Sequence, residues 1–173
     1  MRAHTNTAKY PILAKTMKNY FKALIATVTL AFAPAADASG GMGMTWRKSN
    51  HASGVDEVGC LDCDAYFGDT ACTARLPVLC IKQDGSPRPA SLPGPYYAGW
   101  AGGNIATTLP VAGNFLMSLA HANETCVQFF GPGWRMASFH DAGGWGFNAY
   151  GNVRTDTRFW VYIWDQPANC WNP

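Results

Sequence analysis

The sequence predicts an α+β domain, stabilised by disulfides, in which one clear helix packs on a short-stranded, mostly antiparallel sheet. Three observations support this fold class. Apolar residues recur at three- and four-residue spacing before Gly131, six bulky residues follow one another over 159–164, and six cysteines lie beyond residue 59. The first pattern indicates an amphipathic helix, the second a strand buried on both faces, and the third a crosslinked core.

The helix is predicted between Asn114 and Phe130. Asn114 is the expected N-cap, because its side-chain oxygen can accept from the free amides of a first turn. One polar residue, Asn123, interrupts an apolar face made of Leu116, Leu119, Ala120, Cys126, Val127 and Phe130. The helix ends at Gly131-Pro132-Gly133, since glycine accepts a left-handed turn and proline cannot continue a helix. Cys126 therefore faces the core from the last turn.

All six cysteines are expected in disulfides: Cys60, Cys63, Cys72, Cys80, Cys126 and Cys170. An even number in an exported chain is typical of disulfides, although six cysteines allow fifteen connectivities. Cys126 is paired here with Cys170, which follows the terminal strand; in the alternative, one of the two joins a cysteine between residues 60 and 80. Zinc or redox chemistry by the first four is disfavoured, because their spacing is irregular and no thioredoxin-like strand and helix surround them.

Residues 1–38 are predicted to be a secretory signal peptide. Lys18 and Lys22 precede an apolar run over 23–33, and small residues at 36 and 38 allow cleavage after Ala38. Met17 is an alternative start, and the apolar run is too short to span a bilayer. Residues 39–59 lack periodicity and are predicted to be a flexible N-terminal arm, or at most an edge strand, followed by one domain over 60–173.

The leader carries most of the positive charge of the chain. Of 13 Lys+Arg and 11 Asp+Glu, the leader holds five basic residues and one acidic residue. The remaining residues, 39–173, keep eight basic and ten acidic side chains, a net charge of −2. Nucleic-acid binding, which needs a basic surface, is therefore not expected.

Three phrases stand in a fixed order: a helix ending near a cysteine, G-P-G-W-R-M-A-S-F over 131–139, and F-W-V-Y-I followed by N-C-W near the terminus. This order resembles the C-type lectin-like fold, and bacterial exported domains of that type with a C…G-x-G-W-R-L-P phrase. The resemblance covers 114–171 and makes Cys126 the helix cysteine and Cys170 the terminal-strand cysteine of the family. The chain departs from the family in lacking the W-I-G-L phrase and in carrying Met136-Ala137 in place of Leu-Pro.

The calcium-and-sugar triplets of that family are missing as well. Gln166-Pro167-Ala168 lacks the acid, and no Trp-Asn-Asp occurs. Three acids between residues 62 and 69 do not form an EF-hand loop, because Tyr66 and Phe67 occupy its third ligand and glycine positions. No metal or other cofactor is therefore expected, and ligand binding should be independent of calcium.

In C-type lectin-like domains a long loop binds ligands, and the Gly-rich segment 142–157 is the corresponding candidate here. Aromatic rings beside amides and a guanidinium suit stacking on a sugar or peptide and hydrogen bonding to it. The predicted ligand-binding residues are Trp145, Phe147, Asn148, Tyr150, Asn152 and Arg154, with Trp145 and Tyr150 as the floor of the site. In the alternative, Trp145 and Phe147 simply cap the sheet.

Ser138, His140 and Asp141 do not form a hydrolytic triad, because neighbours on an extended segment point in different directions and no G-x-S-x-G elbow is present. His140 remains a weak catalytic candidate if a distant acid such as Asp165 meets it. Arg135, between two residues that face the core, is predicted to form a salt bridge or a backbone hydrogen bond.

The sequence therefore favours an exported binding module, lectin-like or adhesin-like, that recognises a carbohydrate or a protein surface ligand. Two alternatives stay open: a self-associating structural subunit of a surface layer or appendage, and a secreted hydrolase that uses His140. The predicted location is secreted, cell-surface or periplasmic, with no nucleic-acid partner and no membrane span.

Overall fold

A seven-stranded sheet of mixed direction carries one α-helix. The computed structural model describes residues 41–90, 92 and 98–171, which belong to one compact unit; the predicted leader 1–38 lies outside the described residues. The strands are β1 (Met42–Gly43), β2 (Thr45–Ala52), β3 (Val55–Gly59), β4 (Thr70–Ala71), β5 (Arg75–Leu76), β6 (Leu79–Gln83), β7 (Ala98–Thr107), β8 (Val111–Ala112), β9 (Arg135–Met136), β10 (Gly146–Tyr150) and β11 (Phe159–Trp160). A 3₁₀ turn over Gly113–Phe115 precedes helix α1, Leu119–Phe130.

The strand order across the large sheet is β11-β2-β3-β10-β7-β6-β9. β10 pairs parallel with β7 and antiparallel with β3, and the other neighbours in this sheet are antiparallel. β1–β4 and β5–β8 form two small antiparallel pairs. The predicted α+β class is confirmed. Among the described residues, no helix has the length and apolar character needed to cross a bilayer.

Residues 42–59, for which the sequence predicts part of a flexible arm, instead form β1, β2 and β3. β2 and β3 are a hairpin whose turn residues, Ser53 and Gly54, both have positive φ. A two-residue turn with this geometry matches the twist of the flanking strands. Met44 and Trp46 are fully buried, so the folded domain begins well before residue 60.

Helix α1 starts later than predicted and ends where predicted. Its N-cap is Ser118, whose hydroxyl accepts from the amide of His121 at 3.1 Å, while Asn114 lies in the preceding 3₁₀ turn. Gly131 closes the helix with a φ of +91°, a conformation that glycine adopts without strain. Asn123, the polar residue that interrupts the apolar face of the helix, accepts a hydrogen bond from the Met136 amide of β9 at 3.0 Å.

The predicted Cys126–Cys170 bridge is wrong. Cys126 is bonded to Cys80 on β6, and Cys170 is bonded to Cys72. Cys126 does face the core, as predicted, but the strand under that face of the helix is β6 and not the terminal segment. The third disulfide joins Cys60 to Cys63, so all six cysteines are paired.

Two glycines make room for the Cys170 sulfur. A Cβ added at Gly43 or Gly113 would lie 2.6 or 2.5 Å from Cys170 Sγ, far inside contact distance, and each would also meet the Trp160 ring. The terminal disulfide therefore lies between two backbone segments that only glycine allows to approach so closely.

The terminal strand is shorter than predicted. Only Phe159 and Trp160 pair with β2, as β11. The chain then runs beside 137–139: the Tyr162 amide donates to the Ala137 carbonyl at 3.1 Å, and the Tyr162 carbonyl accepts from the Phe139 amide at 2.8 Å. Trp164 is 70% exposed, in contrast to the predicted burial on both faces. This pairing places the residues after Phe139 next to those after Tyr162.

A buried ion pair ties the β2–β3 hairpin to the segment that follows β10. Lys48 Nζ lies 2.9 Å from Asp56 Oδ1 and donates to the Val153 carbonyl at 2.7 Å. Asp56, with no exposed surface, accepts from the Val153 amide at 2.6 Å through its other oxygen. His51 Nδ1 also lies 2.6 Å from Asp56 Oδ1. Each buried charge thus has a charged partner and a backbone hydrogen bond.

We expect Asp56→Ala to lower the free energy of unfolding by about 3–5 kcal/mol, because it leaves the Lys48 ammonium buried without its counter-charge. Chemical denaturation of the oxidised protein measures the change. Glu124→Ala, an exposed acid on α1, is the control and should change stability by less than about 0.5 kcal/mol. Equal losses in the two variants would contradict the assigned role of Asp56.

Removing the two longer-range disulfides should cost more than removing the short one. The chain-entropy relation assigns about 4 kcal/mol to the 46-residue separation of Cys80–Cys126 and about 2 kcal/mol to Cys60–Cys63. Denaturation of the double Cys→Ala variants tests this order. Peptide mapping without reduction checks the three pairings directly, and a Cys126–Cys170 peptide would overturn them.

Candidate functional site

The predicted loop over 142–157 is not a continuous loop, because β10 occupies its middle. Phe147 is fully buried and its ring centroid lies 5.6 Å from that of Trp46. Asn148 is buried too, and its amide nitrogen donates to the Ala98 carbonyl of β7 at 2.9 Å. The structure therefore corrects the assignment of these two residues to a ligand surface: they serve the core and the sheet.

The other predicted residues of the segment lie apart from one another. The Tyr150 ring meets Trp100 edge-on at 5.0 Å, and its hydroxyl donates to the Pro87 carbonyl. Asn152 accepts from Lys48 at 3.3 Å, and Arg154 pairs with Asp156. The sequence predicts that Trp145 and Tyr150 form the floor of one site, but the structure places them apart. Of the six predicted residues, only Trp145 lines the cavity described next, which several aromatic side chains border.

We name this cavity, of about 150 Å³, the aromatic cleft. It is lined by Ala65, Tyr66, Phe139, His140, Trp145, Ile163, Asp165 and Gln166. Three separate segments contribute: the turn after Cys63, the segment between β9 and β10, and the chain after Tyr162. The hydrogen bonds between 137–139 and Tyr162 bring the last two together.

The walls of the cleft are fixed by the core. The buried Phe139 ring packs on Trp46 at 6.0 Å and meets the Trp145 ring edge-on at 5.2 Å. In the turn after Cys63, Asp64 Oδ1 accepts from the amides of Tyr66 and Phe67 at 2.8 and 2.9 Å, and these hydrogen bonds fix the turn that carries Tyr66. Asp64, one of the three acids for which the sequence predicts no calcium loop, thus accepts hydrogen bonds from the backbone of its own turn.

Three aromatic side chains at the cleft keep much of their surface in water. Tyr66 is 53% exposed and Trp145 43% exposed, and both line the cleft. Trp164 is more exposed still, and its ring packs against His140 at 5.1 Å. Exposed aromatic rings gathered at a cavity mark a binding surface more often than a stabilising one.

His140 meets Asp165, the distant acid raised from the sequence. Its Nε2 lies 3.0 Å from Asp165 Oδ1, with both side chains about one-third exposed. Asp141 is not involved: its carboxylate pairs with Arg135 and accepts from the Ser138 amide. The salt bridge predicted for Arg135 is confirmed, and the sequence-adjacent Ser138, His140 and Asp141 do not act as a triad.

The sequence does not predict Tyr66, Trp164 or Gln166 among the residues of the candidate site. The sequence predicts Trp164 within a buried strand and relates Gln166 only to an incomplete calcium triplet. One signal was available for Trp164, because it is the last residue before the Asp165-Gln166-Pro167 turn and strand ends reach the surface. Within the described ranges, no group of three or more His, Cys, Asp or Glu side chains is placed to hold a metal.

Comparison of the chain with family models, with curated proteins and with solved structures finds no match in any of the three.

Two aromatic residues two positions apart should respond differently to truncation. Phe147→Ala removes a fully buried ring and should lower the free energy of unfolding by about 3–5 kcal/mol. Trp145→Ala, at a half-exposed position, should cost about 1 kcal/mol. Denaturant titration of both variants gives the comparison, and a larger loss for Trp145→Ala would place that ring in the core instead of at a binding surface.

Proposed function

We propose that the protein is an exported, disulfide-stabilised binding module that holds a carbohydrate in the aromatic cleft without calcium. The observation that carries the proposal is the grouping of Tyr66, Trp145 and Trp164, all substantially exposed, around the polar side chains of Asp165 and Gln166. Sugar rings offer an apolar face to an aromatic ring, while their hydroxyls need carboxylate, amide or imidazole partners.

The size of the cleft indicates how much of a ligand it takes. Pockets that enclose a drug-sized molecule have volumes of about 300–1,000 Å³, whereas the aromatic cleft has about 150 Å³. It suits one ring or one chain end better than an extended oligosaccharide. The exposed face of Trp164, next to His140, offers a further surface for the remainder of the ligand.

A C-type lectin-like fold is part of the same proposal. In its favour are the order of helix, G-P-G-W-R-M-A-S-F segment and terminal strand, and a single helix on a mixed sheet. The structure pairs Cys126 with Cys80 and Cys170 with Cys72. These pairings differ from the Cys126–Cys170 bridge that was predicted together with the resemblance. The sugar site proposed here depends on the cleft and not on that fold assignment.

Export is proposed on two grounds. The charged and apolar leader with small residues at 36 and 38 has the pattern of a secretory signal peptide. Three disulfides join all six cysteines, and disulfides persist in oxidising compartments. Both are compatible with a periplasmic, cell-surface or secreted protein.

A hydrolase is the second candidate, because the His140–Asp165 pair has the geometry of a histidine oriented by a carboxylate. Two features of the cleft weigh against it. Glycoside hydrolysis ordinarily uses two carboxyl groups, and Asp165 is the one acid among the lining residues. The lining also contains no serine, threonine or cysteine to act as a nucleophile.

The binding proposal is tested with a glycan array on the oxidised protein, followed by titration of the best binder. We expect Trp145→Ala and Trp164→Ala each to weaken binding by about five- to thirtyfold, the loss of one stacked ring. Phe129→Ala is the matched control, since Phe129 is as exposed as Trp145 but does not line the cleft. A chelator should leave binding intact. Unchanged binding in both Trp variants would place the site elsewhere.

His140→Ala separates the two candidate functions. If the cleft is a binding site, His140→Ala removes one hydrogen-bonding partner and the protein keeps most of its affinity for the glycan, because a single exposed hydrogen bond contributes little. A hydrolase that uses this imidazole loses turnover while retaining its ligand. Product analysis on the glycans that bind to the wild-type protein distinguishes these results.

A further inference from the structure

A second cavity, of about 460 Å³, lies between β2, β5 and the segment that precedes β11. It shares no lining residue with the aromatic cleft. Its lining is Arg47, Leu76, Thr155, Asp156, Thr157 and Arg158. We name it the arginine cavity, because two guanidinium groups border it from different elements.

Arg158 is held rigidly by the fold. Its Nε donates to the Thr45 hydroxyl, and its terminal nitrogens donate to the carbonyls of Thr45 and Leu61 at 2.9 and 3.1 Å. A guanidinium has five N–H donors, so two of the five stay uncommitted. Asp69 is 3.5 Å away and provides a partial counter-charge. Burial lowers the pKa of Arg158, Asp69 opposes that change, and the charge of Arg47 adds to it.

Arg47 has no such commitments. Its Nε is closed off from water and has no hydrogen-bond partner, and no ion pair among the described residues includes Arg47. An unpaired buried donor is costly, and a fold retains few of them without a reason. Two guanidinium groups on one cavity also repel each other until an anion lies between them.

The one acid in the lining does not supply that anion. Asp156 is engaged by Arg154, which donates from Nε and from a terminal nitrogen at 2.8 and 2.6 Å. These hydrogen bonds lower the pKa of Asp156, so that the pair is ionised and neutral as a unit. The cavity therefore retains the positive charge of Arg47, and Asp69 offsets the charge of Arg158 only in part, on a domain whose residues 39–173 carry a net charge of −2.

We propose that the arginine cavity binds an oxyanion, a carboxylate, sulfate or phosphate group on a ligand, between Arg47 and Arg158. The planar fork of a guanidinium matches the paired oxygens of these groups, and Thr155, which also lines the cavity, carries a hydroxyl that can donate. The inference is independent of the proposed sugar site, since it rests on different residues and a different ligand chemistry.

The experiment follows the Arg Nε–H resonances of the oxidised full chain by NMR at low ionic strength. Acetate, sulfate and phosphate, as sodium salts, are added in separate titrations with sodium chloride as the reference. We expect saturable shifts of the Arg47 and Arg158 signals in the millimolar range. The anion that binds most tightly identifies the source: acetate points to an acidic sugar or peptide, sulfate or phosphate to an esterified ligand.

Three variants make the result specific. Arg47→Gln should weaken binding about tenfold, the effect of losing one charge-assisted contact. Arg47→Lys keeps the positive charge but lacks the planar guanidinium, so its anion affinity should lie between those of the wild type and Arg47→Gln. It also provides the test if Arg47→Gln fails to fold. Arg88→Gln, an exposed arginine outside the cavity, is the control for charge and should bind as wild type. Shifts no larger than those with chloride, or equal losses in Arg88→Gln and Arg47→Gln, would overturn the proposal.

Discussion

The burial of Trp46 on β2 is the interaction on which the aromatic core and the aromatic cleft depend. The indole is fully buried and contacts Phe147 on β10 and Phe139, the inner wall of the aromatic cleft. Its ring nitrogen has no hydrogen-bond partner, which costs stability that the large apolar contact must offset. Without this ring, Phe139 would lose one of the side chains on which it packs, and Phe139 is the ring that Trp145 meets edge-on.

Each face of β2 positions residues of one of the two candidate sites. Because side chains alternate along a strand, Trp46 and Lys48 share one face while Thr45 and Arg47 share the other. The first face supports the cleft through Phe139 and fixes Val153 through the Lys48–Asp56 pair. The second holds Arg158 through Thr45 and contributes Arg47 to the arginine cavity. One short strand thus positions an aromatic site and a cationic one.

The end of the helix and the fold class could be predicted from the sequence, because both depend on residues close together in the chain. Gly131 ends the helix because its own φ requires glycine, and the class follows from one amphipathic helix among short strands. The β2–β3 hairpin escaped prediction because Lys48 and Asp56, two charged residues, lie in the core and interrupt the apolar pattern. A charged side chain can be buried only where another residue, often distant in sequence, provides its partner. The spacing of apolar residues along the chain does not reveal that partner.

The same reasoning accounts for the cysteines and for the site. That all six are paired follows from their even number, but the choice of Cys80 for Cys126 depends on which strand lies beneath α1. Trp145 was recognisable from its Gly-rich context. Its neighbours in the cleft include residues 65–66 and 163–166, and the pairing of Tyr162 with 137–139 brings the second of these segments near. A site assembled from three segments is a property of tertiary structure.

The short disulfide has a role that its loop length does not suggest. Cys60–Cys63 closes too few residues to restrict the unfolded chain strongly. It does shape the turn that contains Leu61, whose carbonyl accepts from Arg158, and that turn leads directly into Ala65 and Tyr66 of the cleft. Asp69 then links back to the same arginine and to the amides of Thr45 and Asp64. The turn therefore contacts Arg158 of one cavity and continues into Ala65 and Tyr66 of the other, so its geometry affects a lining residue of each.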